Sequence, residues 1–167
     1  FAALIAAIIS PILGAVADFR GSKKTFLTIF MALGVTATAL LYFVRTGDYV
    51  LASVLYVFGQ IGFAGSLVYY DALLPHVARP DEIDQVSSRG YAMGYIGGGI
   101  MLAINLAMIM IVPTLYPAEM QGEITGLMTR LAFVTVGIWW FVFTIPLLRN
   151  VSEPVRRILP GEEQFKP

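Results

Sequence analysis

The chain has 167 residues, of which 57% are apolar and only 13% are charged, and its mean hydropathy is +0.76. Soluble domains carry roughly 25% charged residues, so this composition argues against a soluble globule and excludes a disordered chain. The 11 basic and 11 acidic residues cancel, which leaves no overall basic charge for nucleic-acid binding, and the absence of cysteine excludes disulfides and thiolate chemistry.

Five runs without a formal charge, of 17 to 29 residues each, predict membrane-spanning helices. A helix rises 1.5 Å per residue, so about 20 apolar residues cross a hydrocarbon core of about 30 Å. The predicted fold is an all-α integral membrane bundle over residues 1–148, followed by a cytoplasmic tail or central linker at 149–167. We expect the five transmembrane helices at about 1–17, 25–44, 49–70, 90–112 and 127–148.

The first run, residues 1–17, fits either a span cut short at its start or a signal peptide. It lacks a basic beginning, and it leads into a charged turn instead of a cleavage site, which favours the span. In the loop that follows, GAVADFRGSKK, the Asp18 carboxylate and the ammonium groups of Lys23 and Lys24 lie where hydrocarbon meets water. Gly21 permits a tight reversal there.

The basic residues predict the orientation of the bundle. With five spans the loops alternate sides, and nine of the 11 basic residues fall on one side: Arg20, Lys23, Lys24, Arg79, Arg89, Arg149, Arg156, Arg157 and Lys166. Only Arg45 and Arg130 fall on the other. Cytoplasmic loops are rich in lysine and arginine, so the C-terminus and the loops at 18–24 and 71–89 are predicted to be cytoplasmic.

A polar stripe runs along the third predicted span. At 100° per residue its members fall within one narrow sector of the helix: Tyr49, Ser53, Tyr56, Gln60 and, just past the span, Asp71. Unsatisfied polar groups are costly in hydrocarbon, so the stripe predicts either a water-filled cavity or hydrogen bonds to neighbouring helices. Tyr49 fits an interfacial anchor. Asp71 is either a helix-end charge in water or a residue that couples transport to a proton or cation.

The fourth span carries a stripe of small residues, Gly90, Gly94 and Gly98, which allow helices to approach closely. Asn105 lies mid-span and needs either an inter-helix hydrogen bond or a substrate contact. The residues before this span, Pro80 to Gln85, predict a short surface helix. Residues 113–126 are expected to be a loop, and Trp139 and Trp140 of the fifth span are expected to pack or face lipid.

Two stretches resemble a known transporter family. Residues 14–24 resemble the cytoplasmic loop signature of the major facilitator superfamily, which joins its second and third helices; Gly14, Asp18, Gly21 and Lys23 match it, and Arg20 lies one place past the usual basic position. YDALLPHVA followed by SSRGYAMGYIGGGI is similar to the vacuole-effluxer (autophagy-related) branch and its bacterial relatives. The resemblance covers the whole chain.

This resemblance implies helices two to six of a twelve-helix transporter, so that the first helix and the second half are partners outside this chain. It implies that the third span lines the substrate pathway, and the candidates there are Ser53, Tyr56 and Gln60, with Asn105 on the next span. It also implies that Asp18 meets a helix end in the second half and latches the two halves together. Amino-acid export in this branch makes an amino acid one candidate solute.

The leading hypothesis is therefore part of a secondary active transporter that moves a small solute by alternating access. The alternatives are a membrane-embedded enzyme acting on lipid head groups and a non-transporting membrane scaffold. We expect no enzyme activity, no catalytic residues, no cofactor and no metal, because the acids are not tightly spaced and the chain has one histidine. The expected surroundings are the lipid bilayer, which is the plasma (inner) membrane if the protein is bacterial.

Overall fold

A computed structural model of the protein describes residues 22–153. This part contains no strand and has four helices that are long and apolar enough to cross a membrane. They are α1 (Lys23–Leu40), α2 (Tyr49–Val77), α3 (Ile83–Ile111) and α4 (Ala118–Asn150). Short 3-10 segments, Leu41–Phe43 and Val112–Leu115, follow α1 and α3. The all-α membrane fold is thus confirmed.

The number of helices differs from the prediction. The described part has four spanning helices instead of five, because the predicted first span at 1–17 lies outside the described residues. The same holds for four residues of the predicted loop signature, namely Gly14, Asp18, Arg20 and Gly21.

The ends of α2 and α3 correct the predicted cytoplasmic loop at 71–89, which shrinks to residues 78–82. Helix α2 continues past Pro75 to Val77, because a proline near the end of a helix removes only one late hydrogen bond. Helix α3 begins at Ile83, so Pro80 to Gln85 do not form a separate surface helix. Charged residues that lie beyond the hydrocarbon are compatible with a helix that continues into water.

The start of α4 corrects the predicted loop at 113–126. Helix α4 begins at Ala118, directly after Pro117, which has extended backbone angles and serves as the N-cap. Glu119 lies in the first turn, where a negative charge is favourable because the helix dipole is positive at that end. Pro113 thus lies inside the 3-10 segment Val112–Leu115, and α4 extends well beyond the predicted span at 127–148.

The four helices alternate in direction, so that α1 and α3 begin where α2 and α4 end. We call this the basic end, because most of the described basic residues lie there: Lys23, Lys24, Arg79, Arg89 and Arg149. Arg45 lies in the turn at the opposite end.

Helices α1 and α2 form the closest pair, and glycine makes their approach possible. A Cβ atom on Gly62 would lie 2.5 Å from the Cα atom of Gly34 and 2.7 Å from the carbonyl oxygen of Phe30, which are backbone atoms. One turn further along α2, Gly65 lies against the ring of Phe30. Nearer the basic end, the fully buried Tyr69 stacks on Phe26 at 5.3 Å between ring centroids.

Helix α4 packs against an adjoining face of α1. The indole ring of Trp140 lies against Gly34, and Gly137 lies against the backbone of Val35, where a Cβ atom would be 3.5 Å from the carbonyl oxygen. Trp140 also meets Phe63 of α2 edge to face. Trp140 therefore packs between helices, and α1 lies between α2 and α4.

Candidate functional site

The polar stripe of α2 faces away from α1. The buried residues of α2 are Gly62, Gly65, Ser66, Tyr69 and Leu73, and at 100° per residue they lie roughly opposite the stripe. Four of the five stripe residues are exposed, namely Tyr49, Ser53, Tyr56 and Asp71, with Tyr49 at 76%, and Gln60 is half-buried. The outer half of the stripe, from Tyr49 to Gln60, lies farther from the basic end. Residues 22–153 leave it largely uncovered.

The stripe residues differ in whether their polar groups already form hydrogen bonds within the protein. The Ser53 hydroxyl donates to the carbonyl oxygen of Tyr49 at 2.7 Å, within its own helix. Tyr56 is 57% exposed. Tyr56 and Gln60 therefore offer a phenol and an amide to whatever occupies the space beside α2.

At the basic end, α3 reaches the stripe through a phenol–carboxylate contact. The Tyr91 hydroxyl on α3 lies 3.2 Å from each carboxylate oxygen of Asp71 and donates to them. The neighbouring residue, Tyr70, places its hydroxyl 2.7 Å from the position that a Cβ atom on Gly90 would occupy. The structure thus places Asp71 against α3, and the sequence reasoning did not identify Tyr91 as its partner.

Asn105 lies between α3 and α4 and is 7% exposed. Its side-chain oxygen accepts a hydrogen bond from the Thr135 hydroxyl of α4 at 2.8 Å, and that hydroxyl also lies 2.8 Å from the carbonyl oxygen of Ala132. This geometry favours the inter-helix hydrogen bond over the substrate contact, although both were open from the sequence. Asn105 is not brought next to Gln60 by any described contact.

The three candidate packing glycines of α3 have different surroundings. Gly90 lies against Tyr70, whereas at Gly94 and Gly98 no described atom beyond the neighbouring backbone of α3 itself lies within 4 Å of the position that a Cβ atom would occupy. The tightest approaches occur instead at Gly34 and Gly62. The sequence indicates that Gly62 lies on the side of α2 opposite the polar stripe. It does not indicate which face of α1 packs against Gly62.

The lysines of the predicted loop signature connect α1 to two other helices at the basic end. The Lys23 ammonium donates to the carbonyl oxygen of Ala72 at 3.2 Å and lies 3.4 Å from the His76 ring nitrogen of α2. The backbone N–H of Lys24 donates to the carboxylate of Glu153 at 3.0 Å, just past the end of α4. Lys24 thus contributes through its backbone, and His76 lies in a helix instead of the predicted loop.

Arg130 is a further residue whose position the sequence reasoning used only for orientation. It lies within α4, where its guanidinium carbon is 5.7 Å from the centre of the Tyr42 ring and its Nε donates to the carbonyl oxygen of Gly126 at 3.2 Å. Its Nη1 atom is buried without a hydrogen-bond partner among the described residues. Burying an ionisable side chain inside a membrane span costs free energy, so such residues are rare. Arg130 is therefore a further candidate functional residue.

No cluster of three or more histidine, aspartate or glutamate side chains that could hold a metal ion occurs in residues 22–153. The stripe offers groups for recognition by hydrogen bonds and charge: exposed hydroxyls and a half-buried amide on α2, followed by a carboxylate at the basic end.

The sequence matches a family model and several known proteins. The family model described as "Vacuole effluxer Atg22 like" matches residues 1–84 and 80–162. A relative from Bacillus subtilis, described as an uncharacterized MFS-type transporter YxiO, is 37% identical over 149 residues, which cover 89% of this chain and 34% of that protein. Autophagy-related protein 22 of Coccidioides immitis is 23% identical over 195 residues, which cover 86% of this chain and 31% of that protein.

A third relative, autophagy-related protein 22-1 of Penicillium rubens, is 24% identical over 208 residues, which cover 86% of this chain and 33% of that protein. The chain thus spans about a third of the length of the curated relatives that it matches. No solved structure matches it.

Proposed function

The chain belongs to the vacuole effluxer Atg22-like family, and we propose that it forms part of a secondary active transporter in which α2 lines the pathway of a small solute. The observation that carries this proposal is the polar stripe of α2, which is turned away from the packed face of the helix and left uncovered by the described residues. Such a stripe along an apolar helix is stable only beside water, solute or another protein surface.

In this proposal the pathway runs along the outer half of the stripe. Tyr56 and Gln60 contact the solute, Ser53 lies beside them, and Asp71 takes up a proton or cation near the membrane boundary. The basic end faces the cytoplasm, because lysine and arginine concentrate there. The first helix and the second half of the transporter cover the stripe from the other side and move relative to it.

The solute class follows from the resemblance to the effluxer branch, which makes amino acids the first solutes to test. A half-buried amide at Gln60 beside an exposed phenol at Tyr56 suits a small solute that carries both donors and acceptors. Among the described residues no observation favours the lipid head-group enzyme or the scaffold.

Gln60→Leu in the full-length transporter should reduce solute flux about tenfold or more, which corresponds to about 1.4 kcal/mol of lost recognition. The substitution keeps the approximate size of the side chain but removes its donors and acceptor. Flux of labelled amino acids is measured in vesicles that contain the purified protein and are energised by an imposed ion gradient.

The matched control is Ile61→Leu, which introduces the same residue one position further along α2 and outside the stripe. It should transport like the wild type. Wild-type flux in the Gln60→Leu variant, at equal amounts of inserted protein, would contradict the assignment of the stripe to the pathway.

A further inference from the structure

The contact between Asp71 and Tyr91 is a hydrogen bond shared between the two oxygens of one carboxylate. One phenol hydroxyl lies at the same distance, 3.2 Å, from both carboxylate oxygens. An ionised carboxylate accepts hydrogen bonds at either oxygen, whereas a protonated one offers a weaker acceptor. Hydrogen bonds to a charged acceptor are roughly twice as strong as those between neutral groups. The strength of this contact therefore depends on the protonation state of Asp71.

The contact joins two helices that pack on different neighbours, α2 on α1 and α3 on α4 through Asn105 and Thr135. Helix α2 is fixed to α1 by the approach of Gly62 to Gly34, by the stacking of Tyr69 and by the bond from Lys23 to the carbonyl oxygen of Ala72, next to Asp71. Helix α3 meets α2 on this side where Tyr70 lies against Gly90 and Tyr91 bonds Asp71. Because few other contacts among the described residues join α3 to α2, the basic end of α3 can shift relative to α2 when this hydrogen bond weakens.

We propose that the Asp71–Tyr91 hydrogen bond is a protonation-dependent tie between α2 and α3, made when Asp71 is ionised and weakened when it binds a proton. This inference rests on the proposed function, because it takes Asp71 as the coupling residue. Tyr91 is a positioning residue in this scheme: it acts on the solute pathway only through Asp71, by holding α3 against the basic end of α2. Proton uptake by Asp71 then frees α3 to move.

Other titratable groups lie near the Asp71–Tyr91 hydrogen bond, and their effects on the pH response must be distinguished from its effect. Tyr70 on α2 and Tyr95 on α3 are close to Tyr91, and the Lys23 ammonium on α1 lies between the carbonyl oxygen of Ala72 and the ring of His76 on α2. A response to pH that came from His76 or Lys23 would persist after removal of the Tyr91 hydroxyl. A response that came from the tie would not.

The test measures the separation of α2 and α3 as a function of pH. Spin labels are placed on the two helices of the full-length transporter in lipid nanodiscs, and distance distributions are recorded at acidic and alkaline pH. The wild type should show a longer distance at acidic pH. Tyr91→Phe should show this longer distance at every pH, because it lacks only the hydroxyl.

Two further variants complete the test. Asp71→Asn, which cannot ionise, should also show the longer distance at every pH. Tyr95→Phe removes a hydroxyl one turn further along α3, from a residue that is 81% exposed, and should retain the wild-type response. A wild-type response to pH in Tyr91→Phe or in Asp71→Asn would overturn the proposal, as would its loss in Tyr95→Phe.

Flux measurements on the same variants separate this inference from the proposed function. Tyr91→Phe should transport with an altered dependence on pH, whereas Asp71→Asn should lose accumulation against a gradient. If Asp71→Asn accumulates solute normally, the coupling role of Asp71 is wrong. If Asp71→Asn fails to accumulate solute but Tyr91→Phe follows the wild type at every pH, the coupling role stands and the tie is wrong.

Discussion

Gly62→Ala should destabilise the transporter by about 2–3 kcal/mol, because it forces apart the two most closely packed helices. The added Cβ atom would meet the Cα atom of Gly34 at 2.5 Å and the carbonyl oxygen of Phe30 at 2.7 Å. Both are backbone atoms, so no side chain can rotate away to make room. The melting temperature of the full-length protein in detergent is expected to fall by several degrees.

A matched control lies three residues earlier on the same helix. A Cβ atom on Gly59 would lie 3.7 Å from the Thr38 hydroxyl oxygen, an ordinary contact, so Gly59→Ala should leave the melting temperature unchanged or raise it slightly. If Gly62→Ala melts at the wild-type temperature, or if the two variants lose the same stability, then α1 and α2 do not approach each other at Gly62.

Asp71→Asn should abolish solute accumulation driven by an ion gradient while leaving exchange of solute between equal concentrations intact. Asparagine keeps the shape of the side chain, but it carries no charge and cannot bind a proton or balance a cation. Loss of coupling therefore lowers the accumulation of solute against its gradient by about tenfold or more, while the pathway itself stays open. Both modes are measured with the same labelled solute in the same vesicles.

Asp84→Asn is the control for the charge change. Asp84 is exposed in the first turn of α3, near the same end of the bundle, and the substitution removes one negative charge as Asp71→Asn does. It should accumulate solute normally. Equal loss of accumulation and exchange in Asp71→Asn would indicate a structural role instead of coupling.

Hydrophobicity predicted the helices of this protein better than it predicted their ends. The four described spans follow from apolar runs of sufficient length, because the bilayer sets that length. Their ends do not, because a helix that leaves the hydrocarbon is free to continue into water with charges on its surface. Thus α2 continues through Pro75 to Val77, and α4 begins at Ala118 instead of near residue 127.

The candidate site was predicted in part, since periodicity within one helix was visible and the contacts between helices were not. The spacing of Tyr49, Ser53, Tyr56 and Gln60 placed them on one face of α2, and the structure leaves much of that face uncovered. The partner of Asp71 could not be found in the same way, because the register of α3 against α2 depends on packing. Tyr91 is 20 residues away in sequence.

The packing glycines also could not be predicted from periodicity within one helix. Regular spacing on α3 drew attention to Gly94 and Gly98, which have open space around them in the described bundle. The close approach uses Gly34 and Gly62, which come from two helices and therefore form no pattern along the sequence. A small residue permits close packing, but whether a neighbouring helix lies there is decided by the whole fold.

Access of water to the polar face of α2 tests the proposed pathway most directly. The chain has no cysteine, so single cysteines can be placed at Ser53 or Tyr56, and at Val54 on another face, in a full-length protein without other cysteines. A membrane-impermeant thiol reagent should label the first two positions, solute should protect them, and Val54→Cys should stay unlabelled. Labelling of Val54→Cys alone, or no labelling at Ser53→Cys and Tyr56→Cys in any state, would contradict a solute pathway along this face.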